Sequence, residues 1–198
     1  MVLVASAVFA PAAQATPVNP TECSAESYNK DPRLGPAQLP TAGEVGEQLK
    51  GYSRTGNLSE KKFLEEYWVN GGWKWPPANG FVTDPQGKPI KNRFTLTKNR
   101  RVDRYGGTGG GFLAPEKSSY ASRSIPPQNL NGTPPEKCNY HIYLVLKDFD
   151  VDSGTIAKWF AQVGGGTQYQ LNGSYVQGAP QKLNVQWLLD NKYLETKR

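Results

Sequence analysis

Between residues 71 and 82 the chain reads GGWKWPPANGFV, and this stretch divides it into two kinds of sequence. Downstream, short extended runs are split by Gly, Pro and Asn, the pattern of a twisted antiparallel sheet with functional loops. Upstream, TAGEVGEQLKGY and NLSEKKFLEEYWV place Val45, Leu49 and Tyr52, then Leu58, Phe63, Leu64 and Tyr67, at helical spacing, with Ser59 as a cap before Glu60. The fold class that follows is α+β: a small helical lobe over residues 44–72, packed on a β-rich body over 73–198. Residues 16–43 read as an extended arm. The clearest strand is YHIYLVLKDFDV, 140–151, rich in β-branched and aromatic residues. TIAKWFAQ after it reads as one or two helical turns, GGGTQYQL as a loop entering a strand, and VQWLLDNKYLE as a helix or a strand.

The 198 residues suffice for one domain with a full core, and five Trp, ten Tyr and seven Phe supply large anchors for it. The first fifteen residues, MVLVASAVFAPAAQA, form an apolar run ending in Ala13-Gln14-Ala15, the form cut by signal peptidase, although the charged start of such a leader is missing, as in a truncated one. No later run approaches the roughly 18 apolar residues of a membrane span. A secreted chain reaches an oxidising compartment, where an even pair of cysteines bridges, so Cys23–Cys138 is the expected disulfide. Two cysteines and one histidine make no tetrahedral zinc site without carboxylates. Sequons at Asn57, Asn131 and Asn172 fit a secreted eukaryotic chain, with Pro134 disfavouring the second.

The formal charge of +6 suits a multiply anionic ligand or simply a soluble secreted protein. No Lys/Arg block is dense enough for a nucleic-acid stripe. The stretch RVDRYGGTGGGFLAP, 101–115, carries five glycines in six positions, but without the helix and acidic residue of a dinucleotide fold or the Lys-Ser/Thr of a phosphate loop. What remains is a turn that lets a ligand approach the backbone, with Arg104 at its mouth, or a plain surface turn with a solvated arginine.

Taken in order, WKWPPANGFV, VDRYGGTGGGFLAP, SSYASRSIPP, YHIYLVLKDF and GGGTQY resemble the tuberculosis necrotizing toxin family of NAD glycohydrolases, and within it the secreted fungal surface enzymes, over about residues 73–195. The resemblance implies an α+β fold with a helical thumb and a β-rich palm. It implies catalytic roles for Arg104, Gln168 and His141, and substrate contacts for Phe81, Arg123, Tyr105 and Phe112. At Phe112 the toxin's motif has Tyr, so no hydroxyl role carries over there. The implied substrate is NAD+, or NADP+, cleaved between nicotinamide and C1′ of its ribose. The leaving group is a neutral pyridine and needs no acid, so a site without a glycosidase's paired carboxylates is chemically reasonable. Arginines would pair with the pyrophosphate, and Gln168 would position ribose hydroxyls or the attacking water.

Other readings stand beside this one. His141, on an apolar strand, is equally a structural residue. Trp68, Trp73 and Trp75 line a ligand groove or belong to the core. The chemistry requires no cofactor, but Asp148, Asp150, Asp152 and Ser153 alternate as oxygen ligands would, without the glycine and glutamate of an EF-hand. The fungal relatives imply calcium and a homodimer. An ADP-ribosyltransferase would use the same substrate but commonly carries Glu-x-Glu, which is missing here. A secreted glycan-binding module built on the Trp residues would not need Arg104, Arg123 and Gln168.

Overall fold

A computed structural model describes residues 19–197; the expected leader, 1–15, lies outside them. The chain forms helices α1 (Gly43–Gln48) and α2 (Glu60–Tyr67), a ribbon of β1 (Trp68–Val69) and β2 (Gly72–Trp73), and strands β3 (Lys91–Leu96), β4 (Arg101–Tyr105) and β5 (Phe112–Pro115). Strands β6 (Tyr140–Val145), β7 (Phe149–Thr155) and β8 (Thr167–Leu171) follow, then helix α3 (Val185–Asp190) and strand β9 (Leu194–Thr196). Seven strands make one antiparallel sheet in the order β3-β7-β8-β5-β4-β6-β9. The fold is thus mixed α+β with few, short helices.

Both upstream helices form within the runs that the apolar spacing marks, although α1 ends before Leu49 and Tyr52 and α2 begins after Leu58. Ser59 Oγ accepts from the Lys62 N–H at 3.3 Å, satisfying a first-turn donor of α2, and Phe63 and Tyr67, one turn apart, bury the same face. The helices serve different cores. Val45 and Leu49 pack with Tyr105, Tyr120, Tyr140 and Ile142 on one face of the sheet, whereas Phe63 and Tyr67 pack with Leu34 and Phe160 in an aromatic cluster. On the sheet's other face Val102, Tyr143, Val145 and Val151 meet Val185 and Leu188 of α3. The ambiguous VQWLLDNKYLE is both elements: Asn184 caps α3 by accepting from the Trp187 N–H, and after Lys192 at φ 59° the chain enters β9.

Two expectations are corrected. The run 140–151 is two strands, because Leu146 donates to the Tyr193 carbonyl and the Asp148 carboxylate accepts from Lys98 N–H, which turns the chain. β6 then pairs with β4 and β9, while β7 crosses to pair with β3 and β8. TIAKWFAQ forms no helix. It continues β7 into a tight turn, with a bridge from Trp159 to Gln162 and Phe160 and Ala161 at φ 49° and 53°. Phe160 is fully buried against Tyr67, Trp73 and Trp75, and that burial outweighs the cost of a left-handed backbone.

The Cys23–Cys138 disulfide is formed, across 115 residues of sequence, and holds the arm to the tyrosine-rich core. No helix among the described residues is long and apolar enough to cross a membrane. Of the three sequon asparagines, Asn57 is exposed, whereas Asn131 Nδ2 donates to the Pro32 carbonyl and Asn172 Nδ2 to Asp152.

Candidate active site

The glycine stretch joins β4 to β5, and its loop is built around one side chain. Arg104 turns back into it, with Nε donating to the Gly107 carbonyl at 3.0 Å and Nη1 to that of Phe112 at 2.9 Å. A Cβ on Gly110 would lie 1.8 Å from Arg104 Nη2, and Gly106 takes φ 123°, so side chains are excluded by the arginine and by the backbone. The loop is also tied down: the Gly110 carbonyl accepts from Val185 and that of Gly111 from Leu171. It is a fitted wall rather than a linker.

That wall borders a cleft of about 390 Å³, where Arg104, Tyr105, Phe112, Arg123 and Gln168 come together with Trp75 at the rim. An adjoining recess of about 60 Å³ is lined by five of the same residues and closed by Leu113 and Ala114. Ile125 and Ile156 supply apolar floor to both. Burial lowers the proton affinity of Arg104, and among the described residues no carboxylate forms an ion pair with it. A guanidinium remains charged under these conditions, so the cleft carries an unneutralised cation.

Arg123 has the opposite circumstances. Expected to face substrate, it is 7% exposed and its guanidinium grips Asp103, Nη1 to Oδ1 at 2.7 Å and Nη2 to Oδ2 at 2.8 Å, with further bonds to Gln48 Oε1 and the Ser118 carbonyl. Tyr140 O–H and Lys117 N–H also donate to Asp103. Burial raises the Asp103 carboxyl above the ordinary carboxylate value, and Arg123 opposes that shift. Gln48 comes from α1 and also accepts from Tyr105 O–H at 3.2 Å, so this network ties the helix to the cleft wall. Sequence reasoning missed Asp103: nothing local distinguishes an acid inside RVDRY whose partner lies twenty residues on.

Gln168, on β8, donates from Nε2 to the Asn79 carbonyl at 2.9 Å. Asn129 also went unnoticed in sequence; it lines the cleft and donates to the Tyr105 carbonyl. Ser124, in a left-handed conformation at φ 47°, lines it too, and its buried Oγ has no hydrogen-bond partner.

Two other expected site residues stand apart from the cleft lining. Phe81 is 1% exposed, bridged to Ile156, with its ring against Gly154, where a Cβ would lie 2.7 Å from Phe81 Cδ1. His141 sits directly opposite Arg104 in the β4–β6 register and is half-buried, its Nε2 3.4 Å from Asn139 Oδ1. Burial lowers its proton affinity, and Arg104 and Lys137 lower it further.

The Trp cluster divides. Trp73 is core, donating to Gln128 Oε1 at 2.6 Å, Trp68 meets it edge-on, and Trp75 stands 57% exposed at the cleft rim. The aspartates considered for calcium are engaged by the protein: Asp148 by Lys98 N–H, Asp150 by Arg93 and Thr95, Asp152 by Lys91, Asn172 and Tyr175. Among the described residues no three His, Cys, Asp or Glu converge as a metal site.

Residues 95–196, β4 to β9 with the end of β3, match the sequence profile of the family described as Tuberculosis necrotizing toxin. Over 171 residues, 83% of this chain and 68% of the relative, the sequence is 42% identical to the conidial surface nicotinamide adenine dinucleotide glycohydrolase of Aspergillus fumigatus. The fold is similar to that of tuberculosis necrotizing toxin as solved with its immunity factor, with a TM-score of 0.52, 19% identity, and coverage of 70% of this chain and 71% of that one.

Proposed function

The chain belongs to the tuberculosis necrotizing toxin family, and we propose from that membership and from its cleft that it is an NAD glycohydrolase acting outside the cell. The carrying observation is that one cleft holds an unpaired guanidinium, Arg104, and an anchored amide, Gln168, with apolar and aromatic walls between them. The extracellular location rests on the conidial surface relative and the disulfide.

Cleavage breaks the C1′–N bond, and its electron pair neutralises the pyridinium nitrogen as nicotinamide departs. Water adds to C1′ and releases a proton to solvent. Arg104, charged in a largely dry wall, holds the pyrophosphate and fixes the reactive pose. Arg123 is balanced by Asp103, so we assign it to shaping the cleft wall rather than to phosphate binding. Phe112 offers the flat surface against which the nicotinamide ring packs, while Tyr105, buried beneath Arg123 and against Tyr120 and Tyr140, holds that wall in place. Phe81 and His141 support the cleft from behind, and the α1–α2 segment acts as the thumb against the sheet's palm.

Among the described residues the only carboxylate lining the cleft is Asp103, which is occupied by Arg123, so none is free to activate an acceptor in place of water. Hydrolysis is therefore favoured over transfer to protein. The test is incubation of the purified protein with NAD+ and separation of nicotinamide, free ADP-ribose and protein-bound ADP-ribose. Free ADP-ribose dominates if the reading holds. Gln168→Ala lowers turnover on the order of 10²-fold while the fold persists, and Arg104→Lys, which keeps charge but not the planar fork, does not restore activity. Label collecting on protein would establish the transferase, and no loss of NAD+ would remove the enzyme reading altogether.

A further inference from the structure

The segment supplying the Asn79 carbonyl has an unusual backbone. Ala78 and Asn79 sit at φ 53° and 54°, and Gly80 follows at φ 81°, so three successive residues are left-handed and two of them carry a Cβ. Such a backbone persists only when its surroundings over-determine it, and strain of this kind concentrates at sites of function. Here both ends are clamped. Pro76 and Pro77 fix the entry, Phe81 is buried at the exit and donates to the Ala78 carbonyl, and the Gly80 carbonyl accepts from Ala157 N–H at 2.8 Å.

The held carbonyl decides how Gln168 presents itself. A backbone carbonyl only accepts, so the amide nitrogen must face Asn79, which turns Oε1 away from it. Gly80 keeps the space beside that oxygen open, since a Cβ there would lie 3.6 Å from Oε1. No group among the described residues donates to Oε1.

We propose that the Pro76–Gly80 turn is a positioning element that locks the Gln168 amide so that Oε1 accepts a hydrogen bond from a hydroxyl of the substrate's nicotinamide ribose. This rests on the glycohydrolase reading above. An acceptor at that hydroxyl draws its proton outward and enriches the ribose in electron density as positive charge develops at C1′, an interaction stronger in the transition state than in the bound substrate.

Gln168→Glu tests the orientation. An ionised carboxylate cannot donate to the Asn79 carbonyl, but a protonated one donates from its O–H and still presents an oxygen to the ribose. The variant-to-parent turnover ratio, measured from pH 4 to 8 with folding followed by circular dichroism, therefore rises as the pH falls. A flat ratio, or full activity at neutral pH, overturns the proposal while parent turnover upholds the enzyme reading; an inactive parent removes both. Ala78→Val, a β-branched residue at a left-handed position away from the cleft lining, tests the turn itself. It lowers kcat on the order of 10-fold to 10²-fold with little change in KM, and an unchanged kcat in the folded variant overturns the positioning role. Analogues lacking one or the other hydroxyl of the nicotinamide ribose identify the partner: with one of them, Gln168→Ala costs little beyond the analogue's own loss. Fully additive losses with both overturn the hydroxyl as the partner.

Discussion

His141 is the only histidine of the chain, so its titration can be followed without interference. Burial, Arg104 and Lys137 all hold its proton affinity below the ordinary value of 6.5, so at neutral pH the imidazole is uncharged. As the pH falls below 6.5 the unfolded chain binds this proton before the folded one does. Stability linked to His141 is therefore present above that value and is lost as the pH falls toward the folded pKa. The single imidazole resonance titrates below 6.5 by NMR, and His141→Asn flattens the acid side of the Tm-versus-pH curve; a pKa above 6.5 would contradict the geometry. At this scale the motifs that carry Arg104, Tyr105, Phe112 and Gln168 are each local in sequence, and the fold brings all four to one cleft. Arg123 lies in the same lining, but its pairing with Asp103 was not legible, because it becomes visible only when β4 and the 121–123 turn are packed together.

Among the elements, α2 was legible because capping and the spacing of Phe63 and Tyr67 are short-range properties. The segment 155–162 was not. Its apolar spacing satisfies a helix, but the aromatic cluster of Tyr67, Trp73 and Trp75 takes Phe160 into a left-handed turn instead. The turn depends on that ring. Phe160→Ala keeps the backbone cost, empties the cluster, and lowers unfolding free energy by about 3–5 kcal/mol in urea titration. A loss below about 1 kcal/mol would show that the turn stands on its own hydrogen bonds. The division of 140–151 into β6 and β7 has a similar origin: every residue suits a strand, and the break follows from contacts with Tyr193 and Lys98.

For the molecule as a whole, the bridge from Cys23 to Cys138 joins the arm to the core behind the β4–β6 end of the sheet. Cross-linking residues this far apart restricts the unfolded chain, worth about 4–5 kcal/mol in the chain-entropy account. Reduction, or paired Cys23→Ser and Cys138→Ser substitution, lowers the unfolding midpoint accordingly, measured by denaturant titration with and without reductant. An unchanged midpoint would mean that the arm is held by its other contacts alone, such as Arg54 donating to the Leu34 and Ala37 carbonyls.

By itself the sequence determined the α+β class, both upstream helices and the disulfide, and marked the glycine turn at Arg104 without deciding between a ligand wall and a surface turn. Each rests on caps, spacing, cysteine count or backbone freedom within a few residues. Only the tertiary structure decided which arginine keeps a free charge, which tryptophan reaches the cleft, and where the backbone turns left-handed at 78–80 and 160–161. Those outcomes depend on partners twenty to ninety residues away, whose burial and pairing energies exceed the local preferences that a sequence displays.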